Sequence, residues 1–216
     1  MKILTAGKNY FLWGDIGDDR CLKRFLELLK GLPIYLFYSE IPWSDKSLEY
    51  WRNKAGLFDK GAGFEEIIMR TGVIIKNCGA GDIFYNISRK NKEKVKELLS
   101  GYAPPFRKEW KIFYGAPYRN SDKIQHYSKP SYLVYHSKKN RRFSENSPEG
   151  RRSEQVLDWV FSHFGFSEGV YVVDPFVGRG LTARVAYRYG LHCVGMDINL
   201  GRLEEVIRWF KKRGVD

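Results

Sequence analysis

Apolar positions follow two rhythms along the chain, short near-continuous runs and longer stretches in which they recur three and four residues apart. The alternation of these rhythms predicts strand and helix in turn, hence a largely parallel sheet covered by helices on both faces. A short strand is expected at 11–13. A helix capped by Asp18 or Asp19 follows, carrying Leu22, Phe25, Leu26 and Leu29 on one face and ending at Gly31 and Pro33. Residues 34–39 form the apolar, aromatic run expected of a buried parallel strand. A looser segment, 41–63, precedes a short helix at 64–70, a strand at 73–76, a turn at 78–82 and a lysine-rich amphipathic helix at 90–99. Pro104 and Pro105 break the chain before two aromatic strands, 110–114 and 132–136, that can pair as a hairpin. A polar loop at 137–152 leads to a helix capped by Ser153, with Val156, Leu157, Val160 and Phe161 on its apolar face. The last elements are a strand at 170–173, a glycine turn at 174–180, a helix to about Arg188, a strand at 191–196 ending in Asp197, and a helix at 201–212.

With 216 residues, 43% hydrophobic and 29% charged, the chain has the composition of a folded domain rather than of a disordered or fibrous one. No apolar run reaches the roughly 18 residues of a membrane span, and the first ten residues lack a secretory signal, so a cytoplasmic protein without membrane attachment is expected. Cys21, Cys78 and Cys193 are odd in number and widely spaced, and the histidines are scattered, which points to buried thiols and no metal site. Lys and Arg outnumber Asp and Glu by 37 to 25, a net charge of +12 that favours polyanionic partners. The positive charge is clustered. Lys138, Lys139, Arg141 and Arg142 form one run, Arg151 and Arg152 follow in the same connector, and Arg107, Lys108 and Lys111 surround Trp110. This pattern points to nucleic acid.

The most informative stretch is Val172-Val173-Asp174-Pro175-Phe176-Val177-Gly178-Arg179-Gly180-Leu181-Thr182. A hydrophobic strand delivers an acid at its C-terminal end, two glycines allow the backbone close to a ligand, and a helix starts at once. The next strand ends in Asp197-Ile198-Asn199, an acid placed to accept from ribose hydroxyls, so the ensemble suits a nucleoside cofactor.

These residues resemble the permuted, beta-type group of amino-directed DNA methyltransferases, whose cofactor motif reads Asp-Pro-Phe-x-Gly-x-Gly-Thr-Thr. Asp174, Pro175, Phe176, Gly178, Gly180 and Thr182 match it, and Leu181 replaces the first threonine. The resemblance implies a single domain, 1–216, with a Rossmann-like, mostly parallel sheet in circularly permuted order and an antiparallel hairpin at one edge. Residues 1–136 would form the target-base half, 137–152 a short basic connector in place of a target-recognition domain, and 153–216 the cofactor half. It implies S-adenosylmethionine as cofactor. Asp174 would face its methionine amino group, Phe176, Gly178, Gly180 and Thr182 would form the turn around it, Asp197 with Asn199 would meet the ribose, and Asp15 the adenine edge. Upstream, Trp13-Gly14-Asp15, the helix, the strand 34–39 and Glu40-Ile41-Pro42-Trp43 occupy the places of the family's Gly-Asp opening and catalytic Asp-Pro-Pro-Tyr.

By that resemblance Glu40 accepts from the target amino group, the backbone at Ile41 gives a second contact, Pro42 stiffens the turn and Trp43 stacks on an extruded base. The function implied is methyl transfer to an exocyclic amino group of adenine or cytosine in DNA, as in restriction-modification systems. Lys138, Lys139, Arg141, Arg142, Arg151 and Arg152 would contact the nucleic acid, and a homodimer or partner subunit could supply specificity. Glu for Asp and Ile for Pro depart from the family pattern, and an error of about 1 Å can cost on the order of a hundredfold in rate. The silent partner subunit of the eukaryotic messenger-RNA adenine methyltransferase also resembles this pattern, with Glu in that place. A catalytically silent nucleic-acid-binding module and an RNA methyltransferase are therefore the alternative readings. Asn86-Ile87-Ser88 matches a glycosylation acceptor, which a cytoplasmic location makes accidental.

Overall fold

The computed structural model describes residues 1–42, 44–58, 61–120, 123–141, 143 and 147–216, and within these only the backbone of 114–120 and 123–129. The elements run β1 (Lys2–Ala6), β2 (Asn9–Trp13), α1 (Asp19–Leu29), β3 (Ile34–Glu40), α2 (Asp45–Lys54), α3 (Phe64–Cys78), β4 (Asp82–Ser88), α4 (Lys92–Leu99), β5 (Phe106–Asn120), β6 (Lys123–Ser137), α5 (Ser153–Phe164), β7 (Tyr171–Asp174), α6 (Leu181–Arg188), β8 (His192–Asp197) and α7 (Leu200–Lys211). They form one eight-stranded sheet of order β1-β2-β8-β7-β3-β4-β6-β5. The central strands β2, β8, β7, β3 and β4 are parallel, while β1 at one edge and the β5–β6 hairpin at the other run antiparallel. The C-terminal ends of the parallel strands, Trp13, Asp197, Asp174, Glu40 and Ser88, therefore share one edge.

Strand alternation divides the core in two. Leu36 and Tyr38 of β3 pack with Val172, Leu133 and Tyr135 beneath α5, α6 and α7. Phe37, with Val173, Val194 and Ile83, packs on the other face beneath α1, α3 and α4. The N-terminal half of the chain thus supplies the helices of one face and the C-terminal half those of the other, with every central strand buried on both sides.

Several local expectations change. Residues 73–76, expected as a strand, lie inside α3. Ile67, Ile68, Thr71, Ile74, Ile75 and Cys78 are all buried there at helical spacing, and packing of that face overrides the β-branched preference of the run. The segment read as loose contains α2, whose N-cap Ser44 exchanges hydrogen bonds with Ser47. Residues 82–88 form the fully covered strand β4. Ser153 is the first helical residue of α5, and Arg152 is its N-cap. The expected hairpin is present but its strands are fifteen residues each. β6 pairs with β4 only over 131–137, so positions 113–120 and 123–130 continue as a two-stranded ribbon beyond Ser88, past the edge that carries Glu40. Among the described residues no helix is long and apolar enough to cross a membrane.

The opposite edge is tied by Asp82, which is buried and accepts from Tyr135 Oη at 2.6 Å, Ser137 Oγ at 2.7 Å and Arg141 Nη2 at 3.0 Å. Replacing Asp82 with alanine leaves three donors without their acceptor. We expect a loss on the order of 3 kcal/mol in a urea titration, well above the effect of an exposed acid such as Glu168.

Candidate active site

At the end of β7, the buried Asp174 carboxylate organises the glycine turn. Its Oδ1 accepts from Ser39 Oγ at 2.8 Å and from the Phe176 N–H at 3.0 Å, and its Oδ2 accepts from Thr182 Oγ1 at 2.6 Å. These bonds tie together β3, the turn and the first turn of α6. Burial raises the Asp174 pKa to about 6 against the pull of these donors. Thr182 is thus a partner of Asp174, and Oδ2 retains capacity for one more donor.

The two motif glycines do different work. Gly178 has φ 55° and only the Phe176 carbonyl within 4 Å of a Cβ position, so its backbone is open to a ligand. Gly180 has φ 77°, and a Cβ there would meet Val206 of α7 at 2.5 Å. It closes the helix packing instead. Phe176 packs partly into the core of the α1–α4 face. Asp197, at the end of β8, accepts the Asn199 N–H at 2.7 Å and has its pKa raised by burial. Its second oxygen has Arg202 3.9 Å away, while Asn199 caps α7 through the Arg202 N–H at 3.2 Å. Asp15 follows β2 and is occupied. It accepts from the Gly17 N–H at 2.8 Å and pairs with Arg52 Nε at 3.1 Å. The Arg52 guanidinium fills a slot where a Cβ on Gly17 or Gly61 would collide with it.

Glu40 ends β3, directly beside the turn. Leu36 and Phe37 pair with Val172 and Val173, which sets Ser39 and Glu40 against Asp174. Glu40 is partly exposed as a residue, but its Oε1 is buried without a hydrogen-bond partner. Burial pushes its pKa up to about 7. Ser153 and Asn86 face it closely enough to act against burial, and the Asp174 charge adds to it. Pro42 follows and is partly exposed; Trp43 lies outside the described residues. Ile41 is fully buried, and its N–H donates to the Asn86 carbonyl at 3.2 Å, extending the β3–β4 ladder by a bond that proline could not make.

The basic residues divide. Ser137 pairs with Asp82 at the start of β4, so Lys138, Lys139 and Arg141 begin at the sheet edge opposite Glu40, about 13 Å away along the strand. Arg141 is held within the fold by Asp82 and by the Tyr35 hydroxyl at 3.0 Å. Arg142 lies outside the described residues. Arg151 and Arg152 return to the Glu40 edge, where the Arg151 carbonyl accepts from the Phe113 N–H at 2.8 Å and Ser153 begins α5. Two cavities, of about 580 Å³ beside His136 and Phe106 and about 400 Å³ beside Arg52 and Phe58, include neither Glu40 nor Gly178. Sequence reasoning missed Ser39, Arg52 and Asn86. A polar residue inside the apolar run 83–87 was the signal for Asn86, and it is fully buried, which excludes glycosylation.

No family model matches the chain, and no curated protein matches it by sequence. Solved structures do. The M1.HpyAVI–SAM complex aligns with TM-score 0.59 at 13% identity over 94% of this chain and 97% of that one. Thermus thermophilus TTHA0409 complexed with S-adenosyl-L-methionine aligns with TM-score 0.56 at 12% identity, covering 94% and 93%. PvuII DNA methyltransferase (cytosine-N4-specific) aligns with TM-score 0.54 at 13% identity, covering 97% and 93%. The chain has the fold of these proteins over nearly its whole length.

Two outcomes follow from this geometry. Gly180→Ala should lose about 3 kcal/mol in a denaturant titration through clash and positive φ, and Gly178→Ala about 1 kcal/mol through φ alone. Because the folded Glu40 carboxyl titrates near 7 against an ordinary value of 4.5, the folded chain binds more protons and loses stability as pH rises between those values. Glu40→Gln should therefore raise the melting temperature at pH 8 and leave it nearly unchanged at pH 4.

Proposed function

We propose that the chain is an S-adenosylmethionine-dependent DNA methyltransferase that acts on an exocyclic amino group of adenine or cytosine. The observation that carries this reading is the adjacency of two segments distant in sequence. Glu40 and the Asp174–Gly180 turn end neighbouring parallel strands, at the edge where ligands of such sheets bind. The names of the structural neighbours, two with the cofactor bound and one a cytosine-N4 enzyme, support it.

The residues present fit the cofactor. Gly178 has open space where a Cβ would stand, Asp197 is a buried carboxylate faced by the N–H groups of Asn199 and Gly178 with Arg202 3.9 Å away, and Asp174 holds the turn rigid between them. When bound, S-adenosylmethionine supplies an electrophilic methyl group on a sulfonium. Gly178 and Asp197 would hold the nucleoside part, with Asn199 orienting Asp197 through its N–H. Glu40 would accept from the target amino group, and as a carboxylate it would raise the availability of the nitrogen lone pair. Since its pKa lies near 7, that role requires neutral or higher pH.

Nucleic acid would approach along the same edge. Arg151, Arg152 and the β5–β6 ribbon lie there, and a two-stranded ribbon fits a DNA major groove. Lys138 and Lys139 would add long-range attraction rather than contacts beside the reacting base. The protein would work in the cytoplasm as one domain, with a second copy or a partner subunit extending its small reading surface. A second reading, a catalytically silent binding module, draws on the buried Oε1 of Glu40 and on the Ile41 ladder bond.

Incubation with methyl-labelled cofactor and either DNA or RNA, followed by digestion to nucleosides, separates the readings. We expect N6-methyladenine or N4-methylcytosine in DNA, a rise in rate through pH 7, and a loss on the order of a hundredfold or more in Glu40→Ala. Label in RNA alone would move the substrate class. Retention of DNA with no label, and a gain of activity in a Glu40→Asp, Ile41→Pro variant, would establish the silent module.

A further inference from the structure

Most of the buried side-chain polar atoms that lack a partner among the described residues gather at one place, Arg52 Nη2, Trp110 Nε1 and Arg141 Nε lying elsewhere. Glu40 Oε1, both amide atoms of Asn86, Ser153 Oγ, Tyr38 Oη and Ser131 Oγ are all buried, and none meets the geometry of a hydrogen bond, although Asn86 and Ser153 stand near enough to Glu40 to favour its carboxylate. Asn86, Tyr38 and Ser131 are at most 1% exposed. Strand alternation places them together. Tyr38 and Glu40 on β3, Asn86 on β4 and Ser131 on β6 all occupy the face covered by α5, and Glu40 and Asn86 are direct partners across the β3–β4 ladder. Ser153 opens α5 above them. The neighbouring Asp174 is by contrast satisfied by three bonds.

A buried amide with neither atom bonded is costly, and folds retain one where water, a ligand or a reaction offsets that cost. The location answers which. Methylation of an amino group forms an N–C bond as the sulfonium C–S bond breaks, the electron pair of that bond stays on sulfur, and the nitrogen releases one proton. A route for that proton is needed on the side of Glu40 away from the target. We propose that Asn86 and Ser153 are positioning residues for Glu40. With ordered water between them they fix its carboxyl and relay the released proton from it towards solvent at the start of α5. The proposal rests on the methyltransferase reading for the proton, but its positioning half does not.

The groups that face Glu40 are Asp174 from β7, which is charged, and Asn86 from β4, Ser153 from α5 and Tyr38 on β3, which are not. Both Asn86 and Ser153 favour the carboxylate over the acid. Removing either should therefore make Glu40 harder to ionise. The test is a carbon-13 NMR titration of the Glu40 carboxyl, assigned by its loss in Glu40→Gln, in the full chain carrying Asn86→Leu or Ser153→Ala. Each should titrate about one unit higher than the parent, and Ser153→Thr, which keeps the hydroxyl, should restore the parent value. Ser153→Ala removes a single oxygen from a first helical turn, so it keeps the experiment decisive where Asn86→Leu does not fold. The acid limb of methyl transfer to DNA should move by the same amount. A Glu40 titration unchanged in the folded variants would overturn the proposal. A shifted titration without methyl transfer to any nucleic acid would overturn the proton relay and the enzymatic reading together, and leave Asn86 and Ser153 as the groups that hold Glu40.

Discussion

The parallel pairing of β3 with β7 is the constraint on which the rest of the site depends. It sets Leu36 and Phe37 against Val172 and Val173, and from that register Ser39 reaches the Asp174 carboxylate while Glu40 comes to the lip of the glycine turn. The strands are held from both sides by separate cores, so a slip of one residue would exchange Leu36 and Tyr38 with Phe37 between two packed layers. Site geometry is thus set by apolar packing remote from the chemistry. The Ser39–Asp174–Thr182 bonds then fix the turn, and Gly178 is left as the open point.

Much of this was legible in the sequence because its signals were local. An apolar strand, an acid, two glycines and a helix occur within a dozen residues, and the structure keeps their order. The same local signals were ambiguous where packing decides. Val73, Ile74 and Ile75 read as a strand in isolation, yet within α3 their neighbours complete a buried helical face. Asn86 was opaque because its strand was not recognised, and a lone polar residue acquires meaning only once its cross-strand partner, Glu40, is known. The separation of Lys138 from Arg152 could not be read from a connector of fifteen residues, since only the β4–β6 register shows that the segment starts at one edge of the sheet and ends at the other.

The differences between Glu40-Ile41 and the tetrapeptide of the methyltransferases that this sequence resembles take on a physical sense in the structure. Isoleucine at 41 contributes an N–H to the ladder and a side chain to the core of the α1–α4 face, so the backbone beyond β3 is held by pairing where a proline would hold it by ring stiffness. A longer acid at 40 reaches into the polar group beneath α5. The two substitutions are consistent with each other. One extends the strand, and the other extends the side chain at its end.

The sheet order also bears on how the protein is made. β7 and β8 lie between β2 and β3, yet they are synthesised after the other six strands of this sheet. Until residues 171–216 emerge from the ribosome, the nascent chain carries two unpaired strand borders facing a gap, with one face of its apolar layer covered only by α5. Such a chain cannot close its sheet. Its assembly should be late, cooperative and slow, as large sequence separation between paired strands implies, and the interval before completion is when it is most open to capture by chaperones or to association with its own copies.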